Sequence, residues 1–168
     1  SRIHVENYGN YVCSSLYLGI NFEIDNCVIR NYANYTDDAY GLAINNSQEF
    51  NVSNSKFRAP SHALATGGGN STFSPINRNF VYNNLYFEDS SYDSSQEETY
   101  NLIDLDVHSN SENYKFFNIN SPHTICDTGG YNVVIEGCKF YNISASFNNS
   151  DMTIKNCEIF TKISSNLV

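Results

Sequence analysis

At 168 residues and 19.0 kDa the chain is long enough for one domain with a sizeable core, and 14% aromatic content argues against a disordered segment. Eighteen acidic residues against nine basic ones give a formal charge of -9 and a pI near 4.7, with no Lys/Arg cluster to neutralise phosphates, so nucleic acid is excluded as the expected partner. No run approaches the roughly 18 apolar residues of a membrane span, no signal-peptide pattern opens the chain, and Ser1-Arg2-Ile3-His4 without an initiator Met reads as the start of a piece of a longer protein.

In chain order, Val12-Cys-Ser-Ser-Leu16-Tyr-Leu18 reads as a first strand. Asn21-Phe-Glu-Ile-Asp-Asn26-Cys-Val-Ile29 then opens a series of six nine-residue phrases, the others starting at Glu49, Asn79, Asn113, Asn132 and Asp151. Most copies carry apolar residues at the second, fourth, seventh and ninth places, with Asn or Gly at the sixth. The alternation predicts a short strand with one buried face, and the small sixth residue predicts a bend where two short strands meet. One copy cannot bury that face alone, whereas stacked copies form a continuous solenoid core. The starts at 21, 49, 79, 113, 132 and 151 lie 28, 30, 34, 19 and 19 residues apart, so the unit is 19 residues with insertions in the earlier turns.

Residues 30 to 40 lack a period and read as a loop. Each interval before a phrase supplies another strand: Gly41 to Ile44, His62 to Ala65, Leu102 to His108, His123 to Asp127 and Asn142 to Ser146. Helical spacing is absent throughout. The expected fold is all-β: a single parallel β-helix over 1–168, six to seven turns of about three short strands, with equivalent strands paired in parallel up the axis and capped by a neighbouring domain or partner. Cys27, Cys138 and Cys157 share the seventh place and are expected to stack in the interior, with Cys13 and Cys126 also in the core, since their spacing fits neither a disulfide framework nor a zinc site. Two insertions, Thr66 to Pro75 with three glycines and the acidic Glu88 to Thr99 around Tyr92, read either as groove walls or as idle surface loops.

The dense ionisable group of the chain is Asp104, Asp106 and His108, alternating with Leu105 and Val107 and so sharing one face of a strand. An apolar interior puts that face outside. Counting back from the phrase starts sets His108 opposite Asp127 on the next turn, where a carboxylate beside an imidazole would orient it and raise its pKa. Asp104 with Asp106, or Asp106 with Asp127, is then a candidate carboxylate pair for glycoside hydrolysis; the alternative is a set of solvated acids that block edge pairing or bind hydroxyls. No calcium or zinc spacing is present, so no metal or other cofactor is expected.

With the ladder of phrases and these strands, the chain resembles right-handed parallel β-helices of the pectin-lyase-like class. More closely, Ser61-His62-Ala-Leu-Ala-Thr-Gly-Gly-Gly69, followed one turn later by Asp104-Leu-Asp106-Val-His108-Ser-Asn110, resembles the turns of bacteriophage tail spikes and appendages. The resemblance implies a homotrimer with further virion domains, located in the virion tail and acting outside the host. It also implies a partner that is a bacterial surface polysaccharide or teichoic acid, either bound or depolymerised. Under it Asp104, Asp106, His108 and Asp127 are the candidate catalytic residues, and His62, Arg58, Tyr92, Tyr100 and Asn110 the candidate glycan contacts. A structural shaft module and a bacterial polysaccharide lyase or hydrolase are the alternatives.

Overall fold

The computed structural model describes residues 3–8, 14–17, 19–32, 39–60, 62–67, 77–88, 103–108, 110–145, 150–160 and 164–165. The first turns contain Ile3–Asn7 (β1), Ser14–Tyr17 (β2), Ile20–Asp25 (β3), Cys27–Asn31 (β4), Leu42–Asn45 (β5), Gln48–Ser53 (β6), Lys56–Arg58 (β7), Leu64–Thr66 (β8), Asn77–Asn83 (β9) and Tyr86–Phe87 (β10). The later turns contain Ile103–Val107 (β11), Ser111–Phe117 (β12), Asn120–Thr128 (β13), Tyr131–Glu136 (β14), Lys139–Ala145 (β15), Ser150–Lys155 (β16), Glu158–Ile159 (β17) and Ser164–Ser165 (β18). They form three parallel sheets, ordered β1-β4-β7-β10, β3-β6-β9-β12-β14-β16, and β2-β5-β8-β11-β13-β15-β17 with β18 also on β15. From β2 to β10 the chain visits the eight-, six- and four-stranded sheets in rotation and steps along the axis once per circuit, which makes the fold a parallel β-helix.

The phrase explains the path. In all six copies its first residue has positive φ: Asn21, Glu49, Asn79, Asn113, Asn132 and Asp151. The sixth residue does the same at Asn26, Asn54, Asn84, Asn118, Gly137 and Asn156. Left-handed backbone costs most L-residues about 1–2 kcal/mol, and Asn, Asp and Gly tolerate it best. The chain's richness in Asn is therefore a corner requirement. The exposed amides also join turns, as where Asn84 Nδ2 donates to Asn54 Oδ1 at 2.7 Å and Asn132 Nδ2 to Asn113 Oδ1 at 2.8 Å.

Between the corners, apolar places stack by turn. The second place pairs Phe22, Phe50, Phe80, Tyr114, Val133 and Met152 in register. Its first four rings lie 4.8 to 4.9 Å apart and within 4° of parallel. A second stack joins Tyr82 to Phe116 at 5.5 Å. Each buried ring contributes roughly 1.5–3 kcal/mol of apolar burial, and stacked pairs add about 0.5–1.5 kcal/mol. Cys27, Cys126 and Cys138 are buried and Cys157 is half-buried, all as free thiols. Burial pushes the Cys138 thiol up to about 12, which keeps it protonated. Cys13 lies outside the described residues.

Candidate functional site: a carboxylate pair on the outer face of the eight-stranded sheet

Successive residues of a strand point to opposite faces. On the inner face, Leu42, Leu64, Leu105, Cys126 and Ile143 are in register; one residue on, the outer face carries Ala43, Ala65, Asp106, Asp127 and Ser144, also in register. Asp106 and Asp127 thus sit on adjacent turns, about one strand spacing (~4.8 Å) apart at the backbone.

This register corrects the expected one. Asp127 lies opposite Asp106 and not opposite His108. Counting back from the phrase starts takes all corners to be of equal length, but six positions separate Asp106 from Glu112 while four separate Asp127 from Tyr131, their partners on the next sheet. The two extra residues belong to the corner that holds His108 and Asn110. A second correction concerns solvent: Asp106 faces outward, yet its side chain is only 10% exposed because imidazoles close over it. The side chain of Asp104 lies outside the described residues.

His108 Nε2 donates to Asp106 Oδ2 at 2.9 Å, and His62 Nε2 stands 4.0 Å from the same oxygen. The hydrogen bond to Asp106 raises the His108 pKa, aided by the Asp106 and Asp127 charges and opposed by partial burial. The Asp127 carboxyl is also pushed up, first by burial and then by the neighbouring Asp106, with the Thr128 backbone, the Ser144 hydroxyl and His108 pulling the other way. Its Oδ1 is buried and has no hydrogen-bond partner. Asp127 consequently keeps its proton to a higher pH than an ordinary aspartate, as a proton donor must.

The chain of contacts extends from His62 to Tyr40, which sequence reasoning did not single out. Leu42 pairs with Leu64, so Tyr40 and His62, each two residues earlier, come to equivalent places on adjacent turns. Their rings lie 5.0 Å apart, tilted 32°. Gly41 N donates to His62 O at 2.9 Å, and the buried Asn31 sends its Nδ2 to Tyr40 O at 2.9 Å. A Cβ on Gly41 would stand 2.4 Å from Ala63 O, so only glycine permits this approach of the two turns.

The other candidates scatter. Arg58 is the last residue of β7, an inner strand of the four-stranded sheet, with its guanidinium 4.6 Å from the Tyr32 ring centre. Asn110 is at the His108 corner, its Oδ1 buried without a hydrogen-bond partner. Tyr92 and Tyr100 lie outside the described residues. Tyr86 and Tyr141 are exposed, on strands β10 and β15. Among the described residues, no group of three or more His, Cys, Asp or Glu is placed to hold a metal ion.

Neither family models nor curated proteins match this chain. Solved structures do. Tailspike gp61 of Pseudomonas phage phi297 superposes with a TM-score of 0.73 at 19% identity, over 88% of this chain and 25% of that one. Tailspike gp49 of Pseudomonas phage LKA1 gives 0.65 at 18% identity, over 93% of this chain and 27% of that one. The gp54 tailspike of Acinetobacter baumannii bacteriophage AP22, solved in complex with A. baumannii capsular saccharide, gives 0.63 at 16% identity, again over 93% and 27%. The chain thus spans about a quarter of the length of these structures, and what it shares with them is the fold: the right-handed parallel β-helix of phage tailspikes.

Proposed function

We propose that this chain is the glycan-processing part of a phage tailspike or appendage: it binds a bacterial surface polysaccharide or teichoic acid and hydrolyses its glycosidic bonds at the Asp106–Asp127 pair. The observation that carries the reading is the in-register pair itself, two outward carboxyls on adjacent turns, one of them with a raised pKa. In this reading Asp127 donates a proton to the glycosidic oxygen as the C1–O bond breaks, and Asp106, held by His108, supplies negative charge beside the developing positive charge at C1. Water provides the hydroxyl that ends on C1, and the proton it releases returns to the carboxylate pair, restoring protonated Asp127. Asn110 lies within reach of a sugar bound at His108, and the exposed Tyr86 and Tyr141 offer apolar faces to further sugars. The likeness in fold to a tailspike solved with a capsular saccharide supports a glycan partner; a homotrimer with further virion domains, acting outside the host cell, is part of the same proposal.

A second reading, a shaft module of a virion fibre without chemistry, draws on the burial of Asp106. One experiment separates the two. The protein is incubated with a panel of purified capsular polysaccharides and teichoic acids, and both retention and new reducing ends are measured. Hydrolysis lost in Asp127→Asn with retention preserved supports the first reading; retention without products reduces the site to recognition; neither binding nor products across the panel leaves the shaft.

A further inference from the structure

We infer that His62 is a positioning residue that, together with His108, fixes the Asp106 carboxylate, and is not itself a contact to glycan. Asp106 Oδ2 has His108 Nε2 at 2.9 Å and His62 Nε2 at 4.0 Å. These imidazoles arrive from different directions along the chain. His108 follows Asp106 just past the end of its own strand, whereas His62 precedes strand β8 on the neighbouring turn. The residue in register with Asp106 on β8 is Ala65. A larger outward side chain there would fill the space next to Asp106, and the methyl group leaves it to the imidazole.

His62 is itself held. Its ring packs on Tyr40, the equivalent position one turn away, and its carbonyl accepts from Gly41 N where glycine alone allows the turns to meet. Tyr40 is anchored in turn by buried Asn31. A side chain of 21% exposure, braced by an aromatic ring and directed at a carboxylate oxygen, has the arrangement of a support and not of an open sugar contact. Among the described residues, His62 and His108 stand against Asp106 Oδ2 and Asp127 lies in register on the next turn, while the interior Tyr114 and Cys126 also feel its charge.

The inference rests on the proposed hydrolytic reading only for the purpose of Asp106, and it is testable without any substrate. The side-chain nitrogen shifts and titration of His108 are followed by NMR in the wild-type chain, His62→Ala, His62→Gln and Ala65→Val, with thermal melts as a control for folding. Gln retains a donor near the Nε2 position, and Val at 65 displaces the imidazole without removing it. In His62→Ala and Ala65→Val, His108 is expected to lose its single tautomer and its titration to fall by about half a pH unit or more towards the ordinary imidazole range. In His62→Gln both are expected to stay as in the wild type. An unchanged His108 tautomer and titration in folded His62→Ala would overturn the inference, as would His62→Gln behaving like His62→Ala, which would assign the effect to charge. Should His62→Ala fail to fold, Ala65→Val decides alone. Loss of hydrolysis without any of these NMR changes would return His62 to the glycan while leaving the proposed reaction intact.

Discussion

The two faces of the eight-stranded sheet are built by chain neighbours and answer to opposite demands. Leu42, Leu64, Leu105, Cys126 and Ile143 are all buried, and together they read as a wall of apolar volume that hardly changes from turn to turn. One residue along, Ala43, Ala65, Asp106, Asp127 and Ser144 change character in the middle of the helix, from methyl groups to carboxylates to a hydroxyl. The inner column has one task, since a polar group there would lose its water and find no partner. The outer column is free of that constraint, so departures from a plain hydroxyl or methyl surface are informative. The solenoid uses one residue in two to fold and leaves the other available for chemistry.

Breaking the inner face should cost most. Phe80 is fully buried between Phe50 and Tyr114 in the ring stack, and Phe80→Ala is expected to destabilise by about 3–5 kcal/mol in urea unfolding. A loss under about 1 kcal/mol would mean that the stack contributes little and that the two faces do not differ in this way. Next come the carboxylates. Asp127→Asn removes the proposed proton donor while preserving shape, so hydrolysis should drop about 10²–10⁴-fold. Stability should move the opposite way to that of Phe80→Ala: near neutral pH, Asn replaces a desolvated acid whose charge the native state disfavours, and a melting temperature equal to or above wild type is expected. A clear destabilisation would show that Asp127 belongs to the structural half of the comparison.

A smaller effect separates the faces by pH. His108 has a folded pKa above its ordinary value, so its contribution to stability is fully present below the unfolded imidazole pKa, about 6.5, and is lost as pH rises through the raised folded value. Asp127, also raised, has the same sign: its contribution is present below the ordinary carboxyl range and lost as pH climbs through its folded pKa. The melting temperature should therefore decline on going from about pH 6 to pH 8, and His108→Gln should flatten that decline. A slope identical in the variant would place the titrating group elsewhere.

The sequence made the inner face legible and the outer one only in part, for a physical reason. Apolar places two apart are forced by burial, so the phrase from Asn21 to Ile29 recurs at five more starts, and its spacing is the spacing of the strand pairs. Register on the eight-stranded sheet passes through corners whose length no burial rule fixes. The two extra residues after Asp106 moved His108 away from Asp127 and brought Asp106 there instead. Tyr40 carried no motif; only the pairing of Leu42 with Leu64 reveals that it stands beside His62. The left-handed first place of each phrase was in plain view, as Asn, Glu or Asp in every copy, but a polar residue before a strand is equally at home in an ordinary turn with negative φ.

The smallest expected effect tests the corners that keep the two faces in step. Gly137 occupies the sixth place of the fifth phrase at φ 65°, where the other five copies carry Asn at φ 50° to 53°. A Cβ there would meet Asn118 Oδ1 at 3.0 Å, the end of an exposed side chain that swings aside at little cost. Gly137→Asn keeps a residue suited to the left-handed region, reduces the freedom of the unfolded chain, and places an amide where it can donate to Asn118 as Asn84 does to Asn54. The gain should be about 0.4–1 kcal/mol, read as a rise in the denaturation midpoint at unchanged slope. Gly137→Val carries the same Cβ into the same corner with a β-branched side chain that does not tolerate φ 65°, and should lose stability instead. Opposite signs for the two substitutions would show that backbone conformation at the sixth place, and not the space around it, sets the step from one turn to the next.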